Sequence, residues 1–91
     1  MNREALKKIF ENYSEIIGIR INGIYYHVNC FDTDTLCNYD FEELLDDEYA
    51  LDEYIAYTYQ LDENNFYLEY DFTAQDILNA KNVKLYKLQE I

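Results

Sequence analysis

Carboxylates are the one chemically capable side chain that this sequence holds in quantity. Of 19 acidic residues, all but Glu4, Glu11, Glu15 and Glu90 fall between Ile21 and Ala80, which leaves 15 in a stretch without a Lys or Arg. Paired carboxylates can perform acid–base chemistry when their surroundings push their pKa values apart, but in such a crowd no pair stands out. The other catalytic types are scarce. His27 is the only imidazole, Ser14 the only serine, and Gly18 and Gly23 the only glycines, so triads and glycine-rich phosphate loops lack their parts. The chain reads as a non-enzyme with no cofactor.

Two metal arrangements come close and fail. Asp32, Asp34, Asn38, Asp40 and Glu43 overlay ligand positions of an EF-hand loop, yet Leu36 occupies another ligand position and Cys37 replaces the turn glycine. A strand also precedes the segment where an EF-hand needs a helix. His27, Cys30 and Cys37 could offer soft ligands, but their spacing matches no common zinc framework and a fourth ligand is missing. The two cysteines read as packing thiols rather than a disulfide framework.

What the carboxylates can do collectively is set a field. The chain carries a net charge of −12. The middle stretch, with its 15 acids and no cation, carries more than that, because Arg3, Lys7, Lys8, Arg20, Lys81, Lys84 and Lys87 all lie in the flanks. Like sign disfavours direct contact with nucleic acid or an anionic membrane and favours a cationic partner. Stability does not ask for this segregation, since like charges at i,i+4, such as Glu42 with Asp46 and Glu43 with Asp47, weaken a helix. The candidate partner-binding set is Asp40, Glu42, Glu43, Asp46, Asp47, Glu48, Asp52 and Glu53 on a helix, with Asp62, Glu63, Tyr67, Glu69 and Asp71 on a hairpin. Eleven tyrosines add contact area at low entropic cost. The plain alternative is an acidic coat that keeps the protein soluble and apart from its copies.

The elements that must position these residues follow from periodicity. Ninety-one residues suit a single domain spanning 1–91, with no room for a large enclosed cavity. An aromatic content of 18% argues against disorder despite the charge. Asn2 is placed to cap a first helix through Tyr13, with Leu6, Ile9, Phe10 and Tyr13 on one face and Glu4 before Lys8. Ile17, Ile19 and Ile21 alternate up to Asn22-Gly23, and Ile24, Tyr26, Val28 and Cys30 alternate away from it. That is a hairpin with Ile21 opposite Ile24, Ile19 opposite Tyr26 and Ile17 opposite Val28.

Asp32 to Asn38 reads as a polar connection, followed by a helix with Phe41, Leu44, Leu45 and Tyr49 as its stripe. In a second hairpin, Leu61 opposite Phe66 across Asp62-Glu63-Asn64-Asn65 gathers Ile55, Tyr57, Tyr59, Leu61, Phe66, Leu68, Tyr70 and Phe72 on one face. The other face then carries Tyr67, Glu69 and Asp71 with Tyr54, Thr58 and Gln60. Thr73 and Asp76 form a capping box opening a third helix, and Val83 to Gln89 is a last, lysine-bearing edge strand. The expected fold is α+β, in the order α-β-β-α-β-β-α-β, with an antiparallel sheet and its helices packed on one face. No apolar run is long enough to cross a bilayer, and Met1 leads into a charged amphipathic segment, which reads as cytoplasmic.

Small size and an acidic, tyrosine-rich middle from Ile21 to Ala80 resemble the nucleic-acid-mimicking inhibitors of phages and mobile elements, among them anti-CRISPR and anti-restriction proteins. The resemblance implies a phage-encoded protein in the host cytoplasm that occupies the basic DNA- or RNA-binding channel of a CRISPR-type or other defence nuclease. The charge argues for no direct contact with nucleic acid or membrane, and the chain is expected to be a monomer or small homo-oligomer. Two alternatives stay open: an antitoxin or immunity protein that blocks a basic nuclease with an acidic helix, as barstar-like inhibitors do, and a non-catalytic structural or oligomerisation module.

Overall fold

The computed structural model describes residues 2–87. Five antiparallel strands form one sheet in the order β4-β3-β2-β1-β5, and the helices pack on one of its faces. The first hairpin joins β1 (Ile16–Ile21) to β2 (Ile24–Phe31). Ile21 faces Ile24 and Ile19 faces Tyr26, as the alternation predicts. Asn22 and Gly23 both have positive φ, 51° and 87°, as a type I′ turn requires. The Asn22 side-chain oxygen also accepts hydrogen bonds from the backbone of Lys81 and Asn82, tying this turn to the entry of β5 (Val83–Lys87).

The alternation does not persist to the strand ends. A bulge in β1 inserts Ile17, so Ile16 turns into the core while Ile17 is 41% exposed and leaves its predicted place opposite Val28. A bulge at Asn29 in β2 similarly turns Phe31 inward and Cys30 outward. Ile24 keeps its register, yet no helix covers it and it is 51% exposed.

Helix α1 (Arg3–Asn12) buries Ala5, Leu6 and Ile9. Asn2 does not cap it. Its backbone and side-chain N–H groups instead donate to the carbonyls of Leu78 and Ala80, clamping the chain start to α5 (Ala74–Asn79). Glu4 and Lys8 stay beyond ion-pair distance; the described ion pairs are Arg3 with Glu42 and Lys87 with Glu15. The capping box of α5 is present, with Thr73 and Asp76 each accepting the other's backbone N–H.

The expected polar connection is helical. Asp32 accepts from the backbone N–H of Asp34 and Thr35 and opens α2 (Thr33–Asn38). The expected single helix beyond it is two short ones, α3 (Phe41–Leu45) and α4 (Glu48–Leu51). The break lies at Asp46 and Asp47 because the Asp47 carboxylate caps Tyr49 and Ala50, starting a new helix rather than continuing the old one. The like-charge ladder predicted for a continuous helix would also have opposed it. Ala50 thereby turns inward, and Tyr49 is 87% exposed instead of completing a stripe.

The second hairpin, β3 (Tyr54–Leu61) with β4 (Tyr67–Thr73), is in a different register from the one predicted. Leu61 faces Tyr67, not Phe66. The loop is odd because Asp62 closes it over five residues: its carboxylate accepts from the N–H of Asn64 and Phe66, its own N–H donates to the Phe66 carbonyl, and Asn65 takes φ 63°. One residue of slip exchanges the faces of one strand relative to the other. Leu68, Tyr70 and Phe72 therefore share the helix-covered side with Ala56, Thr58 and Gln60, while Tyr57, Tyr59 and Leu61 join Tyr67, Glu69 and Asp71 on the bare side. A bulge at Ile55 lets both Ile55 and Ala56 be buried. Thr58, expected outside, is a core residue whose hydroxyl donates to the Tyr70 carbonyl at 2.6 Å. Residues 88 and 89 of the predicted last strand lie outside the described residues.

Asp62→Ala removes the acceptor for two backbone donors and is expected to cost about 1–2 kcal/mol of unfolding free energy in urea denaturation. Glu63→Gln, one residue away and without a hydrogen bond, is expected to stay within about 0.5 kcal/mol of the parent.

Candidate functional site

Eleven of the thirteen predicted binding residues are exposed. The exceptions are Asp47 and Asp62, which are half-buried and whose carboxylates hold backbone N–H groups. Both are structural acids. Glu42 is partly neutralised by Arg3 at 3.5 Å. For the fifteen acids of the basic-free stretch, the side-chain oxygens of Asp32, Asp47, Asp62 and Asp76 hold backbone and Glu42 holds Arg3. The other ten, including Asp40, Glu43, Asp46, Glu48, Asp52, Glu53, Glu63, Glu69 and Asp71, have no hydrogen-bond or ion-pair partner among the described residues.

These acids do not lie on one face. Those of α3, α4 and the α4–β3 connection sit on the helix side, whereas Glu69 and Asp71 project from the bare side of the sheet. They are nonetheless joined electrostatically around the end of β3, and the tyrosines between them register the connection. Tyr39 has its pKa raised, first by the Asp47 charge, then by partial burial and by Glu53 and Glu43. Tyr57 is raised by partial burial first, then by Asp32, Asp71 and Glu53. Tyr67 is raised by partial burial, then by Glu69 and, more weakly, Asp71. Glu53 thus acts on the tyrosines of both sides, and Asp71 on both Tyr57 and Tyr67. Acids of both sides thus act on the phenols set between them.

On the bare side, a cleft of about 440 Å³ lies between Tyr57 and Tyr67, with Glu69 and Asp71 at its rim. Asn29 Nδ2 donates to the Tyr67 hydroxyl at 3.2 Å and holds that wall in place. Carboxylates beside aromatic faces suit an ammonium or guanidinium head group.

The same side carries a feature absent from the sequence-based set. Five rings form a connected ribbon across the sheet. Tyr86 meets Tyr25 edge-on at 5.3 Å, Tyr25 meets His27 at 5.1 Å, His27 stacks on Tyr59 at 5.0 Å, and Tyr59 stacks on Tyr67 at 4.8 Å. The Tyr25 ring lies across Gly18, where a Cβ would collide with its hydroxyl. Arg20 sits over Tyr25 and Tyr86, donating to the Tyr86 hydroxyl and the Gly23 carbonyl. The usable signal was the alternate-position aromatics Tyr25 and His27, and Tyr57 and Tyr59; the slipped register concealed it by assigning Tyr57 and Tyr59 to the core.

His27 and Cys30 belong to this bare side, while Cys37 contacts the Tyr13 hydroxyl at 3.0 Å on α2. No group of three or more metal-ligating side chains occurs among the described residues. No described helix is long and apolar enough to cross a membrane.

The Arg20 hydrogen bond, reinforced by the charges of Arg20 and Lys84, outweighs partial burial and lowers the Tyr86 pKa. A phenolate titration at 295 nm is therefore expected to begin with one tyrosine ionising early, and Tyr86→Phe removes that first step. Tyr13, Tyr26, Tyr39, Tyr57 and Tyr67 are all raised. Their protons are held more tightly in the folded state, so the stability they contribute is intact below about pH 10 and is lost as pH rises through their raised values. Comparison with known protein families, with curated proteins and with solved structures found no match.

Proposed function

We propose that this protein is an acidic inhibitor that occupies the basic nucleic-acid-binding surface of a partner, a CRISPR-type or other defence nuclease, by presenting the charge of DNA or RNA on a rigid scaffold. The observation that carries this reading is the set of ten exposed carboxylates that the fold does not use. Their mutual repulsion costs stability, and none of them has an ion pair among the described residues. A basic channel gains by exchanging its condensed anions or bound nucleic acid for such an array. In the bound state the α3–α4 acids and Glu53 meet the channel wall. Glu69 and Asp71, two strand residues and roughly 7 Å apart, take successive basic side chains, one of them lodged between Tyr57 and Tyr67.

Binding to purified CRISPR effector nucleases, measured by biolayer interferometry, tests this. The expected affinity falls at least about tenfold between roughly 50 and 300 mM salt, and duplex DNA displaces the inhibitor. Affinity indifferent to salt, or unaffected by DNA, overturns the reading. A quadruple variant, Glu43→Gln, Asp46→Asn, Glu48→Gln and Glu53→Gln, is expected to fold normally and to associate about tenfold more slowly. Asp47 is left intact because it caps α4.

A further inference from the structure

The aromatic ribbon lies on the bare face of the sheet. The strand registers put four charged side chains on the bare face. Arg20 and Lys84 stand toward the β5 edge, and Glu69 and Asp71 stand on the β4 edge. The face is therefore neutral in sum, while the chain as a whole carries −12. Positive and negative ends are separated by the rings of Tyr25, His27 and Tyr59. None of the four charges has an ion-pair partner among the described residues.

We propose that this face is self-complementary and that two copies of the chain pair through it, sheet against sheet, about a twofold axis running along β2. Because β2 is the middle strand, such a rotation brings β4 of each copy over β5 of the other and β3 over β1. Glu69, His27, Gly18 and Tyr86 share one row across the sheet, and Arg20 and Lys84 the next. Glu69 of one copy then comes above Tyr86 and Lys84 of the other, at both ends of the pair at once. Tyr59 comes above Gly18, over which the Tyr25 ring lies.

Two twisted sheets stack in this way with strands nearly aligned, about 10 Å apart, and edge charges at either side reach across. The contact brings Glu69 of each copy toward Lys84 of the other and covers Leu61, Tyr67 and His27, which are exposed in the single chain. A net-neutral, self-matching face favours a second copy over the cationic partner that the acidic belt attracts.

Sedimentation equilibrium on the full chain, at moderate salt to screen the overall repulsion, tests this with the surface variants Glu69→Lys and Lys84→Glu. The parent protein is expected to move with concentration from its 11.0 kDa monomer to twice that mass. Each variant alone is expected to dimerise at least about tenfold more weakly, because like charges then meet at both ends. An equimolar mixture of the two recovers dimer, since each Lys again faces a Glu. Glu69→Lys is the sharper arm. It brings the net charge from −12 to −10, so general repulsion alone would make it associate more strongly, opposite to the expected loss. A parent protein monomeric up to about 1 mM, dimerisation unchanged by both variants, or a mixture that fails to recover overturns the proposal. Salt-dependent nuclease binding is read separately through the Glu43, Asp46, Glu48 and Glu53 variant, whose residues lie off this face.

Discussion

The carboxylate of Asp62 accepts two backbone hydrogen bonds across a five-residue loop, and the surface chemistry of half the sheet depends on that choice. A strand has two faces and a period of two, so the parity of a hairpin loop decides which residues see water. An even loop would have put Tyr57 and Tyr59 on the same side of the sheet as Leu68 and Tyr70. The odd loop instead sends Tyr59 outward to stack between His27 and Tyr67, and sends Thr58 inward to the Tyr70 carbonyl. It also leaves Phe66 in the loop, 66% exposed. Tyr26 then fills the inner side at this end of the sheet by packing edge-on against Tyr70 and Phe72.

What was legible in the sequence was whatever local chemistry decides alone. Asn22-Gly23 dictates a turn with two positive φ values, and the first hairpin follows from it. The Thr73–Asp76 capping box and the apolar face of α1 are equally local. What was not legible depended on how aspartates spend their oxygens. Asp32, Asp47 and Asp62 read as surface charge in a chain rich in such charge, yet each organises backbone: a helix start at Asp32, a helix break at Asp47 and a loop parity at Asp62. Ser, Asn and Asp compete with regular structure by bonding nearby N–H groups, and a pattern of apolar spacing does not register that competition. Of the candidate site, the exposed acids were visible as composition, whereas the aromatic ribbon required the register.

The same distinction sorts the negative charge into two kinds. Carboxylates at Asp32, Asp47 and Asp76 sit at helix starts, where both the free N–H groups and the helix dipole favour an anion, so their charge is stabilising. The remaining acids of α3, α4 and β4 sit where the fold offers them no donor. In an ordinary soluble domain such positions carry mixed signs. Here the cations are elsewhere: Arg3, Lys7 and Lys8 on α1, and Arg20, Lys84 and Lys87 along β1 and β5. Folding keeps only part of the separation present in the sequence: Arg3 of α1 reaches Glu42 on α3, whereas the acids of α4 and β4 have no ion-pair partner among the described residues.

The acidic belt and the aromatic face overlap only at β4, and that overlap constrains how both could serve. Glu69 and Asp71 can face a nuclease groove or the β5 edge of a second copy, but a carboxylate cannot satisfy both at once. The acids from Asp40 to Glu53 have no such conflict, because they lie on the helix side of the sheet. A twofold axis parallel to the strands keeps the Glu53 end of each sheet at the same end of the pair. Pairing would therefore withdraw the β4 acids from solvent while leaving the α3–α4 acids on the outer, helix-bearing side of each sheet. Those acids would stay open to a cationic surface with or without the second copy, so only Glu69 and Asp71 would be contested between the two contacts.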